Sequence, residues 1–303
     1  MKLVRWPNLF FILLTQFLFQ YCVINPLMLR YGIGLLVDIR NFISIAAAYQ
    51  LIAAAGYIIN DYFDVPIDII NKPHKVFITR GISKRTALTL YIGMNILAVL
   101  LGTRVSLLLS NPLPVICVLM SILLLYLYSA FLKKSFLAGN IVVSGITASA
   151  LPVLLMIVEQ MSRMPAKASR YLQIATLLYT GFAFLLSFAR EVIKDMEDVE
   201  GDRLHGGNTM AIVLSDGVVR YIVTLNLFCM IILLAVIQPY LWEQNLWTRL
   251  LSVYTILLVI APLIRIILKV FKAKACADYN RLSGSIKIVM LMGILSMLFV
   301  QFI

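Results

Sequence analysis

FISIAAAYQLIAAAGYIINDYFDVPID, residues 42–68, carries no charge from Phe42 to Asn60 and then three aspartates, Asp61, Asp64 and Asp68, at spacing i, i+3, i+7. About 20 apolar residues are what a helix needs to cross roughly 30 Å of hydrocarbon, so this stretch is a membrane crossing that ends in carboxylates. The pattern occurs twice. KDMEDVEGD, residues 194–202, follows an apolar run over 171–190 and sets Asp195, Asp198 and Asp202 at the same spacing. Charge close to a bilayer is costly, and two matching acidic sets in so apolar a chain call for something positive to hold them.

The rest of the chain has the same character. Hydrophobic residues make up 62% of the 303 and charged ones 13%, with mean hydropathy +0.96, against roughly half and a quarter in soluble domains. Apolar stretches cover approximately 8–27, 42–60, 87–108, 112–131, 138–158, 171–190, 218–238, 247–268 and 286–302. A helix satisfies its own backbone in lipid. The expectation is therefore an all-α, polytopic integral membrane protein with about nine transmembrane helices, forming a single domain over 1–303. The first stretch is longer than a signal-peptide core and no small-residue cleavage site follows it, so it counts as a helix. Cys22, Cys117, Cys229 and Cys276 are scattered without CxxC spacing and read as small packing residues. His74 and His205 are too isolated to suggest a transition-metal site.

A net charge of +12 could point to nucleic acid, but the distribution of the basic residues says otherwise. With the N-terminus inside, nineteen of the 26 lysines and arginines fall on one side, leaving Arg30, Arg40, Arg104, Arg163, Lys167, Arg170 and Arg249 on the other. That is the positive-inside signature, which makes the crowded side cytoplasmic and leaves no case for a nucleic-acid partner. Eleven of the fourteen acidic residues share that side, with only Asp38, Glu159 and Glu243 outside, although orientation does not require it. Another cause must have put them there.

On a helix turning about 100° per residue, positions i, i+3 and i+7 fall within a narrow stripe. Three like charges on one stripe repel. The arrangement becomes reasonable when divalent cations sit between the carboxylates, and hard oxygen ligands suit magnesium, which also takes oxygens from a substrate phosphate. Two such stripes can face each other across a diphosphate. Either triplet alone reads equally well as solvated loop carboxylates; the pair, with Asn60 and Glu191 beside it, argues against that. Pro66 interrupts helical hydrogen bonding, so Asp68 is expected past a kink, off the ideal stripe. Cations lie near both sets: Lys72, Lys75 and Arg80 after the first, Arg190 and Lys194 at the second. A further stretch, YLYSAFLKKSFLAGN, puts Lys133 and Lys134 after the fourth span, with Tyr126 and Tyr128 before them and Asn140 opening the fifth.

These residues resemble a known family. NDYFDVPIDIINKP and REVIKDMEDVEGDR are similar to the two aspartate-rich signatures of the UbiA-type intramembrane prenyltransferases, nearest to their digeranylgeranylglyceryl phosphate synthase branch. The likeness extends to LVRWPN at the amino end, the lysine pair with the following GN, and a final helix led by Lys287. It implies a helical bundle around a central cavity that opens to the cytoplasmic side. Asn60, Asp61, Asp64, Asp68, Asp195, Asp198 and Asp202 would hold Mg2+ bridged to an isoprenyl diphosphate. Asp61, Asp64, Asp195 and Asp198 are the central catalytic candidates. Arg5, Asn8, Lys133 and Lys194 would contact diphosphate or polar substrate, and Lys72, Arg80, Tyr128, Asn140 and Arg190 complete the candidate substrate-binding set. The implied partners are the isoprenyl diphosphate, a prenyl acceptor and the lipid bilayer, with no protein partner.

The implied reaction is departure of diphosphate from an allylic carbon, formation of a carbocation shielded from water, and attack by an acceptor hydroxyl. The acceptor is expected to be a lipid such as geranylgeranylglyceryl phosphate, with an aromatic acceptor of quinone or pigment synthesis as the alternative. A cation-coupled transporter is a third reading, disfavoured because the carboxylates gather at one membrane face. Where the family reads DREID this chain has Asp64-Val65-Pro66-Ile67-Asp68, and where it reads RPIPSG after INKP this chain has residues 74–81 as HKVFITRG. That divergence bears on the acceptor more than on prenyl transfer, and Arg80 can restore a phosphate contact.

Overall fold

The computed structural model describes residues 4–32, 37–71, 77–79, 81–158, 164–204 and 206–303, with the side chains of 67–71 left outside the description. Its main helices, in chain order, are α1 (Trp6–Arg30), α2 (Ile39–Asn71), α3 (Lys84–Leu108), α4 (Leu113–Ala130), α5 (Ala138–Ser149), α6 (Ala166–Glu197), α7 (Asp216–Gln244), α8 (Leu246–Val270) and α9 (Cys276–Val300). All but α5 are long and apolar enough to cross a membrane.

The starts and irregularities of these helices follow from a few side chains. Ser83 caps α3, its hydroxyl accepting from the Thr86 amide at 3.0 Å. Asn245 and Thr248 form a reciprocal cap at the start of α8, each side chain accepting the other's backbone N–H at 3.0 Å. Widened π-turns at Phe19–Ile24 in α1 and Ile256–Ile260 in α8 each lie just ahead of a proline, Pro26 and Pro262. A proline ring clashes with the carbonyl four residues back, here Cys22 and Leu258, and one extra residue in the turn relieves that contact.

The fifth apolar stretch departs from expectation. Over 138–158 the chain is not one unbroken helix: α5 stops at Ser149, the chain turns at Ala150 and Leu151, and a short helix, Pro152–Met156, follows. Pro152 has no amide hydrogen to continue the ladder. The 12 residues of α5 span about 18 Å, well short of the hydrocarbon thickness. Leu151, Leu154 and Ile157 after the break are buried among α1, α2 and the start of α6.

Helices α2, α3 and α4 pack together as one group and α6, α7, α8 and α9 as another, while α1 packs on α2 and α9, and α5 on α4 and α6, closing a ring. Small residues let backbones approach: Ala48 and Ala98 are fully buried between α2 and α3, and a Cβ on Gly102 of α3 would stand 3.1 Å from Val118 of α4. The outer surface is apolar, with Leu100, Leu107, Leu177, Val236 and Leu268 among its exposed side chains, while Gln16, Asn140, Ser144 and Thr176 are buried. That is the arrangement a lipid solvent selects, and this is an integral multi-pass membrane protein.

Candidate active site

The first acidic motif lies on α2, which runs unbroken through Pro66 to Asn71. Pro66 thus does not end the helix; the side chain of Asp68 lies outside the described residues, as do Lys72, His74, Lys75, Arg80 and His205. Tyr57, Asn60, Asp61 and Asp64 share one stripe, spaced three and four apart. The second motif is not a single stripe. Helix α6 ends at Glu197, Asp198 is its C-terminal cap with φ −103°, and Asp202 sits on the next short helix, Val199–Leu204. Redirecting the chain at Asp198 corrects the helical-spacing argument for this set. Asp202 remains within electrostatic reach of Asp195 all the same.

Three segments meet the acidic helices. Arg5, in a left-handed conformation with φ 47° just ahead of α1, donates from Nη2 to Asp61 Oδ1 at 2.9 Å and lies over the Tyr57 ring, 5.1 Å from its centre. Burial alone would lower the pKa of Arg5; Asp61 and Tyr57 outweigh it and hold the pKa above the ordinary arginine value. Lys133, in the turn Leu132–Lys134 between α4 and α5, donates to Asp64 Oδ2. Asn60 Nδ2 donates to the same oxygen at 2.7 Å. Asn140, on the first turn of α5, donates from Nδ2 to Asp195 Oδ2 at 2.7 Å. Lys133 also lies within electrostatic reach of Asp195, so one ammonium stands between the two motifs.

Glycine makes that turn possible. A Cβ on Gly139 would come within 2.5 Å of the Leu132 carbonyl oxygen and 3.2 Å of the Lys133 Cα, so only glycine lets α5 start against the lysine-bearing turn. The loop after the second motif docks on the same turn, where the Asn208 amide donates to the Lys134 carbonyl at 2.8 Å.

Beside the carboxylates lies a cavity of about 200 Å³ between α1, α2, α4, α5, α6 and α9. Arg5, Asn8, Asn60, Tyr128, Arg190 and Lys194 all line it, as the sequence led one to expect, and Tyr57, Glu191, Ser187 and Lys287 join them. Phe11, Ile12, Ile52, Leu125 and Met290 make the remaining wall largely apolar. Ser187, Arg190, Glu191 and Lys194 form one stripe of α6 toward the cavity, while Asp195 turns toward α5. Arg190 Nη1 donates to Glu191 Oε1 at 2.7 Å. Tyr128 stands within electrostatic reach of Asp64, Glu191 and Asp195. Tyr57 escaped the sequence reading although its spacing, four residues before Asp61, was a usable signal.

Among the described residues, no three acidic, histidine or cysteine side chains converge as a ready-made cation cage. The carboxylates are held instead by Arg5, Lys133, Asn60 and Asn140.

Known proteins agree with this architecture. The sequence profile described as the UbiA prenyltransferase family matches residues 7–290. A digeranylgeranylglyceryl phosphate synthase from Ignicoccus hospitalis is 36% identical over 183 residues, 60% of this chain and 57% of that protein. The chain thus aligns with less than two thirds of that relative's length. Another, from Methanothermobacter thermautotrophicus, is 30% identical over 236 residues, 78% of this chain and 76% of its own length. In fold, the structure of a UbiA homolog from Archaeoglobus fulgidus bound to DMAPP and Mg2+ superposes with TM-score 0.61 at 14% identity, covering 98% of each chain. With the profile running across both aspartate motifs and nearly every helix that frames the cavity, this chain belongs to the UbiA prenyltransferase family.

Proposed function

We propose that the protein transfers a prenyl group, geranylgeranyl by the names of its relatives, from an isoprenyl diphosphate to a hydroxyl of a lipid acceptor such as geranylgeranylglyceryl phosphate, at the cytoplasmic side of the membrane. One observation carries this reading: Lys133 donates to Asp64 of the first motif and lies within electrostatic reach of Asp195 of the second, about 130 residues on, beside a cavity with an apolar wall.

The donor set fits magnesium. Asp61, Asp64 and Asp195 offer hard carboxylate oxygens of the kind magnesium takes, two of them now paired with Arg5 and Lys133. Asp68, Asp198 and Asp202 would complete the set. Bound there with diphosphate, the ion supplies charge neutralisation of the leaving group.

The chain's own residues do the rest. Lys133 neutralises negative charge growing on the departing diphosphate, whose oxygen takes the electron pair of the breaking allylic C–O bond. Phe11, Ile12, Ile52 and Leu125 keep water from the allylic cation. The acceptor oxygen then forms the new C–O bond and gives up its proton to a carboxylate of the second motif.

The test uses purified full-length protein with radiolabelled geranylgeranyl diphosphate, offered geranylgeranylglyceryl phosphate and aromatic acids together, with products identified by mass spectrometry. The expected result is a prenylated lipid whose formation stops on chelation and in Asp64→Ala, with the protein still folded. Product from the aromatic acids alone, or undiminished turnover in Asp64→Ala, would overturn it.

A further inference from the structure

The cavity wall divides its charge unevenly. Beside the cavity, toward the α4–α5 turn, Asp64 accepts from Lys133, which lies within electrostatic reach of Asp195. On the wall formed by α6 and α9 the balance is reversed. Arg190, Lys194 and Lys287 line the cavity there against one carboxylate, Glu191, which is taken by Arg190. Lys194 and Lys287 have no carboxylate within ion-pair distance among the described residues; both interact with Glu191 only at longer range, and both feel the charge of Arg190. Two like charges set together in a partly buried wall repel each other and lose hydration, a cost that persists only where an anion joins them. The excess of two positive charges matches a phosphate monoester near neutral pH. It does not match a diphosphate already neutralised by divalent ions, which needs carboxylates instead.

We propose that Lys194 of α6 and Lys287 of α9, backed by the Arg190–Glu191 pair, form a subsite for a bare phosphate on the lipid acceptor, separate from the carboxylate end that takes the prenyl diphosphate. This rests on the prenyl-transfer reading and adds to it the feature by which the acceptor is recognised. The pair lies on different helices, so one phosphate bridging them orients the acceptor across the cavity, its hydroxyl toward the Lys133 end and its chain along the apolar wall. Glu191, already paired with Arg190, repels a second anion on its own side and leaves the two lysines as the place where the phosphate settles.

The experiment measures binding apart from turnover. Full-length protein in lipid nanodiscs, without divalent ion or prenyl diphosphate, is titrated by calorimetry with geranylgeranylglyceryl phosphate and with the corresponding alcohol that lacks the phosphate. Wild type is expected to bind the phosphate lipid about tenfold or more tightly, the scale of one charge-assisted hydrogen bond. Lys287→Met and Lys194→Met should remove most of that preference, and Lys287→Arg should keep it. In turnover, Lys287→Met should raise the KM for the phosphorylated acceptor about tenfold and leave the KM for the prenyl diphosphate within about twofold. Equal binding of phosphate and alcohol by wild type would overturn the proposal, as would a Lys287→Met effect confined to the prenyl diphosphate. Wild type that binds the phosphate lipid selectively yet transfers no prenyl group to any acceptor would instead overturn the enzymatic reading and leave the phosphate subsite standing.

Discussion

Lys133 shows how one side chain can serve both folding and chemistry. Its ammonium meets Asp64 and lies within electrostatic reach of Asp195, joining motifs on α2 and α6 that α3, α4 and α5 separate in the chain. The side chain is about a third exposed (35%), so losing the pair should cost only about 1 kcal/mol of stability. Its effect on ionisation is expected to be much larger, because a positioned charge beside a leaving group is worth roughly a hundred- to thousandfold in rate. Lys133→Met should therefore lower kcat by that factor with a small change in thermal stability. Lys133→Arg should recover part of the rate. A matched loss of stability and activity would make the lysine a purely structural tie. Lys134, its neighbour, contributes its backbone carbonyl to the loop after the second motif, so the pair in the sequence has divided roles.

Among the elements, the turn between α4 and α5 is the most constrained. Gly139 lies against the Leu132 carbonyl at a distance no Cβ tolerates, and the atom in the way is backbone, so it cannot simply rotate aside. Gly139→Ala should displace the Leu132–Lys134 turn, move Lys133 off Asp64, and lower both activity and the unfolding temperature. Gly145→Ala, one and a half turns further along α5, meets nothing within 4 Å and serves as the control; it should be neutral or slightly stabilising, by up to about 1 kcal/mol. Equal behaviour of the two variants would mean that close packing at Gly139 does not set the lysine's place. The short α5 belongs to the same design. By stopping at Ser149 it brings Asn140 at its start to Asp195 and leaves Val143, Ile146 and Thr147 on the cavity wall.

For the whole molecule, the excess of lysine and arginine on one side of the crossings carries the proposal that both acidic motifs face the cytoplasm. Cys276, exposed at the start of α9, belongs to that side. With the other three cysteines replaced by serine or alanine, Cys276 should react with a membrane-impermeant maleimide in inside-out vesicles and stay unreactive in sealed right-side-out ones. The opposite pattern would invert the orientation and move the site to the other face.

Much of this was legible in the chain. Eight of the nine apolar stretches, the two acidic motifs, Arg5, Lys133 and Asn140 all stand out in the sequence, because lipid permits few solutions for an apolar backbone and penalises any charge without a purpose. Spacing misled at Asp198, where α6 ends and the chain turns, and along 138–158, where Pro152 stops a helix that apolar length alone would have continued. Periodicity assumes that a helix persists, and cannot see where a tertiary contact or a missing amide ends it. That Tyr57, Glu191 and Lys287 share one cavity wall emerged only in three dimensions. What lies across a cavity from a given lysine is settled by how helices from distant parts of the chain pack, and no local pattern of residues records that distance.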